Sequence, residues 1–326
     1  MLEKKCAYFG QCGGCVWQDL TKQEYLTKKE LFITRAFQDA RLNINLEPIV
    51  LIPTGTRRRT SFAFIKNHFG FNENKSHKIV DIDACPLLTK TINNALPVIK
   101  KTLGQLKSCG DIFILDTPFG LDIHIKTKTG IPNLEQLEIL STLSQEPTIA
   151  RTMYNNTPVF EKAPLPGIAD NFLQPSLEGE ETLIRLVLEA AKGHKKAVDL
   201  FCGKGTFTTP LLNKGIATIG YDSSDAVLAL GTHGVQQDLF RIPLTANELN
   251  GIDLAILDPP RAGALAQTIQ LANTDIKTIV MISCNPKTCA RDIKILVDAG
   301  WHIKKMIPVD QFTYSNHIEL VTILEK

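Results

Sequence analysis

Four short apolar runs in the second half of the chain most constrain its fold. Such runs are typical of strands buried on both faces of a parallel sheet. Helical patterns separate several of them. One covers residues 180–192 before Gly193, and another covers residues 287–298 between Pro286 and Gly300. The pattern predicts an α/β fold with a doubly wound, mostly parallel sheet, whose strands lie at residues 197–201, 217–221, 253–257 and 278–282.

Two more strand patterns, residues 301–307 and 317–324, end the chain. The connection between them is too short for a helical crossover, so we expect an antiparallel pair. This ending is typical of the methyltransferase version of a doubly wound sheet. The first half is less periodic and contains hairpin-like pieces, which favours a mixed α+β domain. The proline-rich stretch 163–167 is a candidate boundary, and we expect domains at residues 1–165 and 166–326.

A glycine-containing loop follows the first strand of the second half. Open α/β sheets bind ligands at this place, and Gly203 and Gly205 allow the backbone to approach a ligand closely. The dinucleotide fingerprint needs a third glycine where this chain has Thr208. The loop therefore favours S-adenosylmethionine over NAD, with Gly203, Gly205 and Phe207 as candidate cofactor contacts.

Acidic residues follow the next strands in order. Asp222 ends the second strand, where a carboxylate can accept hydrogen bonds from both ribose hydroxyls. Asp238 follows a further strand pattern, which lies between the runs 217–221 and 253–257, and is placed to approach the adenine edge. Asp258 ends the run 253–257. Each acid alone is also consistent with a loop cap. Their succession at strand ends favours a nucleotide site.

Cys284 lies at the carboxyl end of one strand and just before a helix that begins at Pro286. The positive end of a helix dipole favours thiolate, so we expect the pKa of Cys284 to fall below about 8.5. This position predicts a nucleophile. The alternative is a buried cysteine that acts as a small apolar residue.

Glu319 stands between Ile318 and Leu320 in the last strand. Burial would raise its carboxyl pKa from about 4.3 towards neutrality, as a general base requires. The alternative is a glutamate that faces solvent at the start of a strand. Asp258 supplies a third polar group, on a loop stiffened by Pro259 and Pro260.

The first half contains a separate set of cysteines: Cys6, Cys12, Cys15 and Cys85. The sequence has neither a signal-peptide pattern nor an apolar run long enough to span a membrane, so we expect a cytoplasmic protein with no membrane partner. Thiols stay reduced in that compartment, which favours metal ligands over disulfides. The spacing alone is compatible with zinc or with an iron–sulfur cluster.

Arg57, Arg58 and Arg59 form a basic corner before an alternating stretch. Such a corner can contact RNA phosphates, or it can be a solvated turn. The net charge of +2 is too small to identify a partner.

Taken together, these motifs are similar to those of the bacterial uracil-5 RNA methyltransferases, which make 5-methyluridine in ribosomal or transfer RNA. The chain resembles the shorter ribosomal RNA subtype that has no extra N-terminal β-barrel. The match covers most of the chain. It rests on the four cysteines named above, residues 172–174, 199–207, 258–261, 283–286 with 290–292, and 317–319.

The resemblance implies that Cys284 adds to C6 of a uracil and that Glu319 removes the C5 proton after methyl transfer. It implies that Asp258 holds the uracil edge and contributes to the cofactor pocket. Gln174 would bind S-adenosylmethionine, and Phe172 would pack beside the target base. The arginines at 57–59 would bind RNA, and the four N-terminal cysteines would hold a [4Fe-4S] cluster.

The sequence leaves three functions open. The first is methylation of 23S ribosomal RNA, and the second is methylation of the transfer RNA T-loop, which uses the same catalytic residues. The third is a non-catalytic iron–sulfur protein that binds RNA. The presence of both a nucleophile and a base favours an enzyme. Mixed surface charge and the absence of heptads favour a monomer.

Overall fold

The computed structural model describes residues 6–128, 130–162, 165 and 173–326. Phe172, predicted to contact RNA, lies outside these described residues. The chain forms two compact units. The first unit contains Met1–Leu20, Pro53–Glu178 and Thr313–Ser315, and the second contains Thr21–Ile52, Gly179–Phe312 and Asn316–Lys326.

Capping residues in the sequence mark the start of several α-helices. Thr21 caps the first helix in a capping box with Glu24, and Asn285 caps the last, which has Pro286 at its first position. Within the described part of the chain, none of the helices has the length and apolar character needed to cross a membrane. The α-helices are α1 (Lys22–Asp39), α2 (Lys90–Gln105), α3 (Leu134–Ser141), α4 (Leu177–Ala190), α5 (Thr208–Asn213), α6 (Leu265–Ala272) and α7 (Pro286–Asp298).

The strands belong to two sheets, one in each unit. In the first unit they are β2 (Arg59–Ile65), β3 (His68–Asn72), β4 (Ile79–Asp81), β5 (Cys109–Thr117), β6 (Gly120–Thr127), β7 (Ile149–Tyr154) and β8 (Thr157–Glu161). In the second unit they are β1 (Val50–Leu51), β9 (Lys196–Leu200), β10 (Ala217–Asp222), β11 (Gly234–Gln236), β12 (Leu254–Leu257), β13 (Thr278–Ser283), β14 (His302–Asp310) and β15 (Glu319–Glu325).

The described residues of the second unit form an eight-stranded sheet in the order β1-β14-β15-β13-β12-β9-β10-β11. Neighbouring strands are parallel except that β15 runs antiparallel to both β13 and β14. The predicted mostly parallel sheet with an antiparallel last strand is therefore confirmed. All four apolar runs predicted as strands are strands, with ends that differ by at most one residue.

Side chains alternate between the two faces of this sheet and build a core on each. Val198 and Leu200 join the core that contains residues of α6 and α7, whereas Ala197 joins the core that contains residues of α4 and α5. The same alternation holds along β12 and β13. Both faces are therefore covered by helices, which explains why the strands are apolar at consecutive positions.

The boundary predicted between residues 165 and 166 differs from the division of the structure. Residues 21–52 group with the second unit, because α1 packs into the core beside α7. Ile33 and Phe37 are fully buried there together with Leu296 and Trp301. This packing joins residues far apart in sequence, so the local composition around residue 165 could not reveal it.

The first unit has a seven-stranded sheet among its described residues, in the order β4-β3-β2-β5-β6-β7-β8. Its neighbouring strands are antiparallel except for β6 and β7. Helix α2 buries Ile92 and Ile99 in the core that contains Phe62 and Phe64 of β2. This unit is the expected mixed α+β domain.

We predict that Phe37→Ala lowers the free energy of unfolding of the second unit by about 3–5 kcal/mol, because it removes a fully buried ring from a packed core. Leu31→Ala on the same helix is the matched control. Leu31 is 46% exposed, so its truncation should change the free energy by less than about 0.5 kcal/mol. Urea unfolding followed by tryptophan fluorescence measures both. Equal effects of the two substitutions would contradict the packing of α1 described above.

Candidate active site

Three polar side chains meet at one edge of the eight-stranded sheet. Asp258 and Cys284 directly follow the last residues of the neighbouring parallel strands β12 and β13. Strand β15 is antiparallel to β13, with Leu320 opposite Ser283, so its first residue, Glu319, lies next to the position of Cys284. The sheet therefore brings together the predicted nucleophile, the predicted base and the third polar group.

The loop that carries Asp258 is fixed to the helix that follows Cys284. Asn285 Nδ2 and Thr288 Oγ1 both donate to the carbonyl oxygen of Arg261, at 3.0 and 3.1 Å. Arg291 Nη2 donates to the carbonyl oxygen of Ala262 at 3.0 Å. These hydrogen bonds hold the Asp258 loop and the amino end of α7 in one arrangement.

Gly263 explains why the same loop can lie so close to α7. It has a φ of +78°, which favours glycine, and a Cβ there would stand 2.5 Å from both Arg291 Nη2 and Asp292 Oδ2. Asp292 in turn accepts a hydrogen bond from the Ala264 amide at 2.7 Å. The motif at residues 290–292 therefore supports the Asp258 loop rather than the reacting atoms.

The glycine loop after β9 has the tight backbone that the sequence predicts. Gly203 and Gly205 have φ angles of +56° and +92°. A Cβ at Gly205 would lie 2.5 Å from Leu230 Cδ2, so this position has no space for a side chain. The Gly203 amide donates to Asp222 Oδ2 at 2.9 Å, which connects the glycine loop to the end of β10.

Three other residues are predicted to contact the cofactor: Asp222, Asp238 and Phe207. Asp222 also accepts a hydrogen bond from the Ser224 amide at 2.8 Å, and Asp238 accepts one from the Phe240 amide at 3.0 Å. The side chain of Phe207 is only 1% exposed and packs in the core. Contact of Phe207 with a cofactor stays a prediction, and the burial of its ring leaves the backbone as the part that could make it.

Asp199, which the sequence analysis treated only as the start of the glycine loop, is fully buried at this site. Its Oδ2 accepts a hydrogen bond from Thr208 Oγ1 at 2.7 Å, while its Oδ1 is buried without a hydrogen-bond partner among the described residues. Desolvation, with a smaller contribution from Asp222, raises the pKa of Asp199 to about 7. A charged residue inside an otherwise apolar strand was the signal that could have identified it.

Desolvation also determines the proton affinity of Asp258, whose side chain is half-buried but surrounded by protein atoms, and of Glu319, which is buried. Desolvation raises the pKa of Asp258 well above its usual value, and Glu319, Asp199 and Asp222 raise it further. Desolvation raises the pKa of Glu319 to about 7, opposed by a hydrogen bond from Gln311 Nε2 to Glu319 Oε1 at 3.4 Å. Glu319 is 5% exposed, so the structure excludes the solvent-facing alternative.

The expected shift of the Cys284 pKa was wrong in sign. The pKa is raised to about 11, chiefly by desolvation and then by the negative charges of Glu319 and Asp258, which Arg261 opposes. The amino end of α7 does not outweigh these effects. In the free protein at neutral pH, Cys284 is therefore mainly a neutral thiol.

The four N-terminal cysteines lie close together in the first unit. The pKa of Cys15 is raised to about 12, first by desolvation and then by the proximity of Cys85, Cys12 and Cys6, although a hydrogen bond with Gln18 opposes the rise. The Gly14 amide donates to Cys12 Sγ at 3.4 Å. Over the described ranges, no group of three or more His, Cys, Asp and Glu side chains has an arrangement that could hold a metal ion.

The three arginines predicted to bind RNA are half-buried, and each lies within hydrogen-bonding distance of a carbonyl oxygen of the protein. Arg57 Nε donates to the carbonyl oxygen of Arg59 at 3.0 Å, and Arg58 Nε donates to that of Gln174 at 3.2 Å. Arg59 Nη1 lies 3.5 Å from the carbonyl oxygen of Leu173. Gln174 itself is buried and belongs to the first unit. RNA contact by these arginines stays a prediction.

Comparison with protein families and known proteins identifies relatives of this chain. The family model for tRNA (uracil-5-)-methyltransferase matches residues 239–326, which include Asp258, Cys284 and Glu319. An RNA methyltransferase of Brucella suis described as uncharacterized is 34% identical, over 98% of this chain and 84% of its own length. The 23S rRNA (uracil(1939)-C(5))-methyltransferase RlmD of Shewanella woodyi is 28% identical, over 99% of this chain and 82% of its own length.

A solved structure shows the same fold. It is the Pyrococcus abyssi tRNA (uracil-54, C5)-methyltransferase in complex with S-adenosyl-L-homocysteine. The likeness has a TM-score of 0.72 and covers 97% of this chain and 86% of the other, with 23% sequence identity.

We predict that alkylation of Cys284 in the free protein keeps accelerating between about pH 8 and pH 10, since the thiolate fraction rises about tenfold per pH unit below the pKa. An ordinary thiol would level off above about pH 8.5. Glu319→Gln should speed alkylation at about pH 8, because it removes a negative charge that disfavours thiolate. Iodoacetamide labelling followed by peptide mass spectrometry measures the rate.

The exposed Cys109 serves as the internal control, because it belongs to the other unit and should react at the same rate in both proteins. A plateau for Cys284 near pH 8.5, or an unchanged rate in Glu319→Gln, would contradict the electrostatic account of this site.

Proposed function

The chain belongs to the RNA (uracil-5-)-methyltransferase family and is an enzyme of that family, and on this basis we propose that it methylates C5 of a uracil in 23S ribosomal RNA. The observation that carries the proposal is the meeting of Cys284, Glu319 and Asp258 at one sheet edge. The higher identity to the RlmD relative, 28% against 23% for the transfer RNA enzyme, supports ribosomal RNA over transfer RNA.

Cys284 begins the reaction as a thiolate that adds to C6 of the uracil. The bond from sulfur to C6 forms while the C5–C6 π electrons move towards O4, which makes C5 nucleophilic. The raised pKa of Cys284 means that the thiolate is scarce in the free protein. Neutralising Glu319, or placing a cation beside it, would favour the thiolate.

Asp258 suits the developing negative charge because its own pKa is raised well above the usual value. A carboxyl group kept neutral by its surroundings can donate a hydrogen bond to an oxygen that becomes an anion. We assign to Asp258 a hydrogen bond to the uracil edge, where it would stabilise the enolate.

Glu319 completes the reaction after C5 has taken the methyl group. Its carboxylate accepts the C5 proton, the C5–C6 double bond reforms, and the Cys284 thiolate leaves C6. A pKa of about 7 suits this work, because the group is partly ionised near neutral pH and can return the proton to solvent.

S-adenosylmethionine supplies the methyl group when it is bound. The backbone at Gly203, Gly205 and Phe207 would approach it, and Asp222 and Asp238 would bind its ribose and adenine. We also propose Asp258 as a cofactor contact in the second unit and Gln174, in the first unit, as a further residue that binds the cofactor. The buried Asp199 oxygen without a partner among the described residues supports a site that receives polar or cationic groups.

The target uracil must leave its stack to meet Cys284, so extrusion of the base is expected. We propose that residues 1–165 contribute to RNA binding and that Phe172 packs beside the extruded base. The chain would work as a monomer.

We also propose that Cys6, Cys12, Cys15 and Cys85 hold a [4Fe-4S] cluster. Four neighbouring thiols are a soft donor set of the kind that iron–sulfur clusters use, and as thiolates they would repel each other without a bound cation. Their arrangement among the described residues could not itself hold a metal ion, so the proposal requires these side chains to rearrange around the cluster. The cluster would organise the first unit and takes no part in the chemical steps above.

We predict a covalent protein–RNA adduct when the enzyme meets S-adenosylmethionine and RNA that contains 5-fluorouracil, because fluorine at C5 prevents proton removal. Cys284→Ala should abolish the adduct, and Cys109→Ala, which changes an exposed thiol, should leave it intact. Glu319→Gln should accumulate a methylated adduct on ordinary RNA. Mass spectrometry and sequencing of the trapped RNA measure both outcomes.

The sequence of the trapped RNA separates the two substrates. Trapping at a 23S uridine supports the proposal, whereas trapping only in the T-loop of transfer RNA replaces 23S with transfer RNA as the substrate. The absence of any adduct with either RNA would overturn the covalent mechanism and favour the non-catalytic RNA-binding alternative.

We predict that protein purified without oxygen contains iron and acid-labile sulfide and shows the visible absorption of an iron–sulfur cluster. Cys15→Ala should lose both, because it removes one of the four thiolates, while Cys109→Ala should keep them. Zinc without sulfide, or cluster content unaffected by Cys15→Ala, would refute this assignment.

A further inference from the structure

A buried ion pair in the second unit joins α1 to the connection that leads to Glu319. Lys29 Nζ donates to Asp310 Oδ1 at 3.0 Å and also donates to the carbonyl oxygen of His317. Both charged side chains are 0% exposed. One ammonium group therefore bonds both ends of the connection between β14 and β15.

Tyr25 completes this network from the preceding turn of α1. Its hydroxyl donates to Asp310 Oδ2, and its ring lies 5.5 Å from Lys29 Nζ. The Phe312 amide donates to Asp310 Oδ1 at 3.2 Å. Both oxygens of the Asp310 carboxylate are thus engaged, and the orientation of this carboxylate is fixed.

The ends of the connection that Lys29 holds are next to Glu319. Asp310 precedes Gln311, whose Nε2 lies 3.4 Å from Glu319 Oε1. His317 stands two residues before Glu319 in the chain. In the sheet, Val309 lies directly opposite Glu319. Displacement of either end of the connection would therefore move the surroundings of the Glu319 carboxylate.

Stability alone is a weak reason for such a network. Removal of two charges from water costs several kcal/mol for each ion, and apolar replacements of buried ion pairs are often neutral or stabilising. A fixed geometry is a better reason, because a reacting group that is misplaced by about 1 Å can lose about 100-fold in rate.

We propose that Lys29 is a positioning residue for Glu319 and acts through Asp310 and the carbonyl group of His317. The inference rests on the proposed function, since it assigns Lys29 to the step in which Glu319 takes the C5 proton. In that step the C5–H bond breaks, its electrons form the C5–C6 double bond, and the C6–S electrons return to Cys284. The addition of Cys284 to C6 does not use the Glu319 carboxylate as a proton acceptor.

The proposal predicts a defect in one step. Loss of the Lys29 contacts should slow hydrogen release from C5 by about 10- to 100-fold. Binding of S-adenosylhomocysteine and trapping on 5-fluorouracil RNA should stay within about threefold of the wild type, because neither needs proton removal. A general loss of folding would lower all three together.

The test compares Lys29→Met with the double variant Lys29→Met/Asp310→Asn. The single variant leaves Asp310 as a buried, unpaired charge and can fail to fold, whereas the double variant removes both charges together. Lys22→Met on the same helix is the matched control, because Lys22 is exposed. Tritium release from C5-labelled RNA and accumulation of methylated adduct are followed in a single turnover.

The expected result is a folded double variant that traps 5-fluorouracil RNA normally, accumulates methylated adduct on ordinary RNA and releases tritium slowly. Tyr25→Phe, which keeps the ion pair, should slow release to a smaller extent. Tritium release at the wild-type rate in the double variant would overturn the positioning role. If wild-type protein neither traps RNA nor releases tritium, the proposed function itself fails, and this outcome is distinct from the first.

Discussion

The cost of burying carboxyl groups determines how this site can work. Asp199 is wholly buried and Glu319 nearly so, and desolvation raises the pKa of both to about 7. The pKa of Asp258 is also raised well above its usual value, because the repulsion of its acidic neighbours adds to desolvation. At neutral pH, Asp199 and Glu319 are therefore partly protonated in the free protein, and Cys284 is mainly a thiol. A positively charged group would oppose this protonation, and a sulfonium donor carries such a charge.

The geometry that creates this constraint comes from one reversed strand. In a parallel sheet, only the carboxyl ends of strands reach the ligand-binding edge. Because β15 runs the other way, its first residue reaches that edge, and Glu319 stands beside Cys284. The same reversal places Asp310, the last residue of β14, near the start of β15, where α1 can bond to it. The places of the proposed catalytic base and of the network proposed to position it thus follow from strand direction.

Local patterns in the sequence predicted the strands, the antiparallel pair and the start of α7, because short-range periodicity and caps determine them. Features that depend on distant residues were not predictable. The upward shift of the Cys284 pKa comes first from desolvation and then from Glu319 and Asp258, and only the folded sheet supplies all three. The packing of α1 depends on α7, and the carbonyl contacts of Arg58 and Arg59 depend on a segment more than a hundred residues away. Each of these features depends on residues that are distant in the sequence, so a local pattern could not reveal it.

The position of α1 also has a consequence for biosynthesis. This helix emerges early from the ribosome, but the core that receives Phe37 includes Leu320 and Leu324 of the last strand. The core around α1 therefore stays incomplete until β15 has been made, whereas the strands of the first unit all precede β9 in the chain. Long-range closure of this kind slows folding and leaves intermediates prone to aggregation. The core of the second unit is thus completed only after β15 has been made, and a chain truncated before β15 would leave α1 without part of the core that receives it.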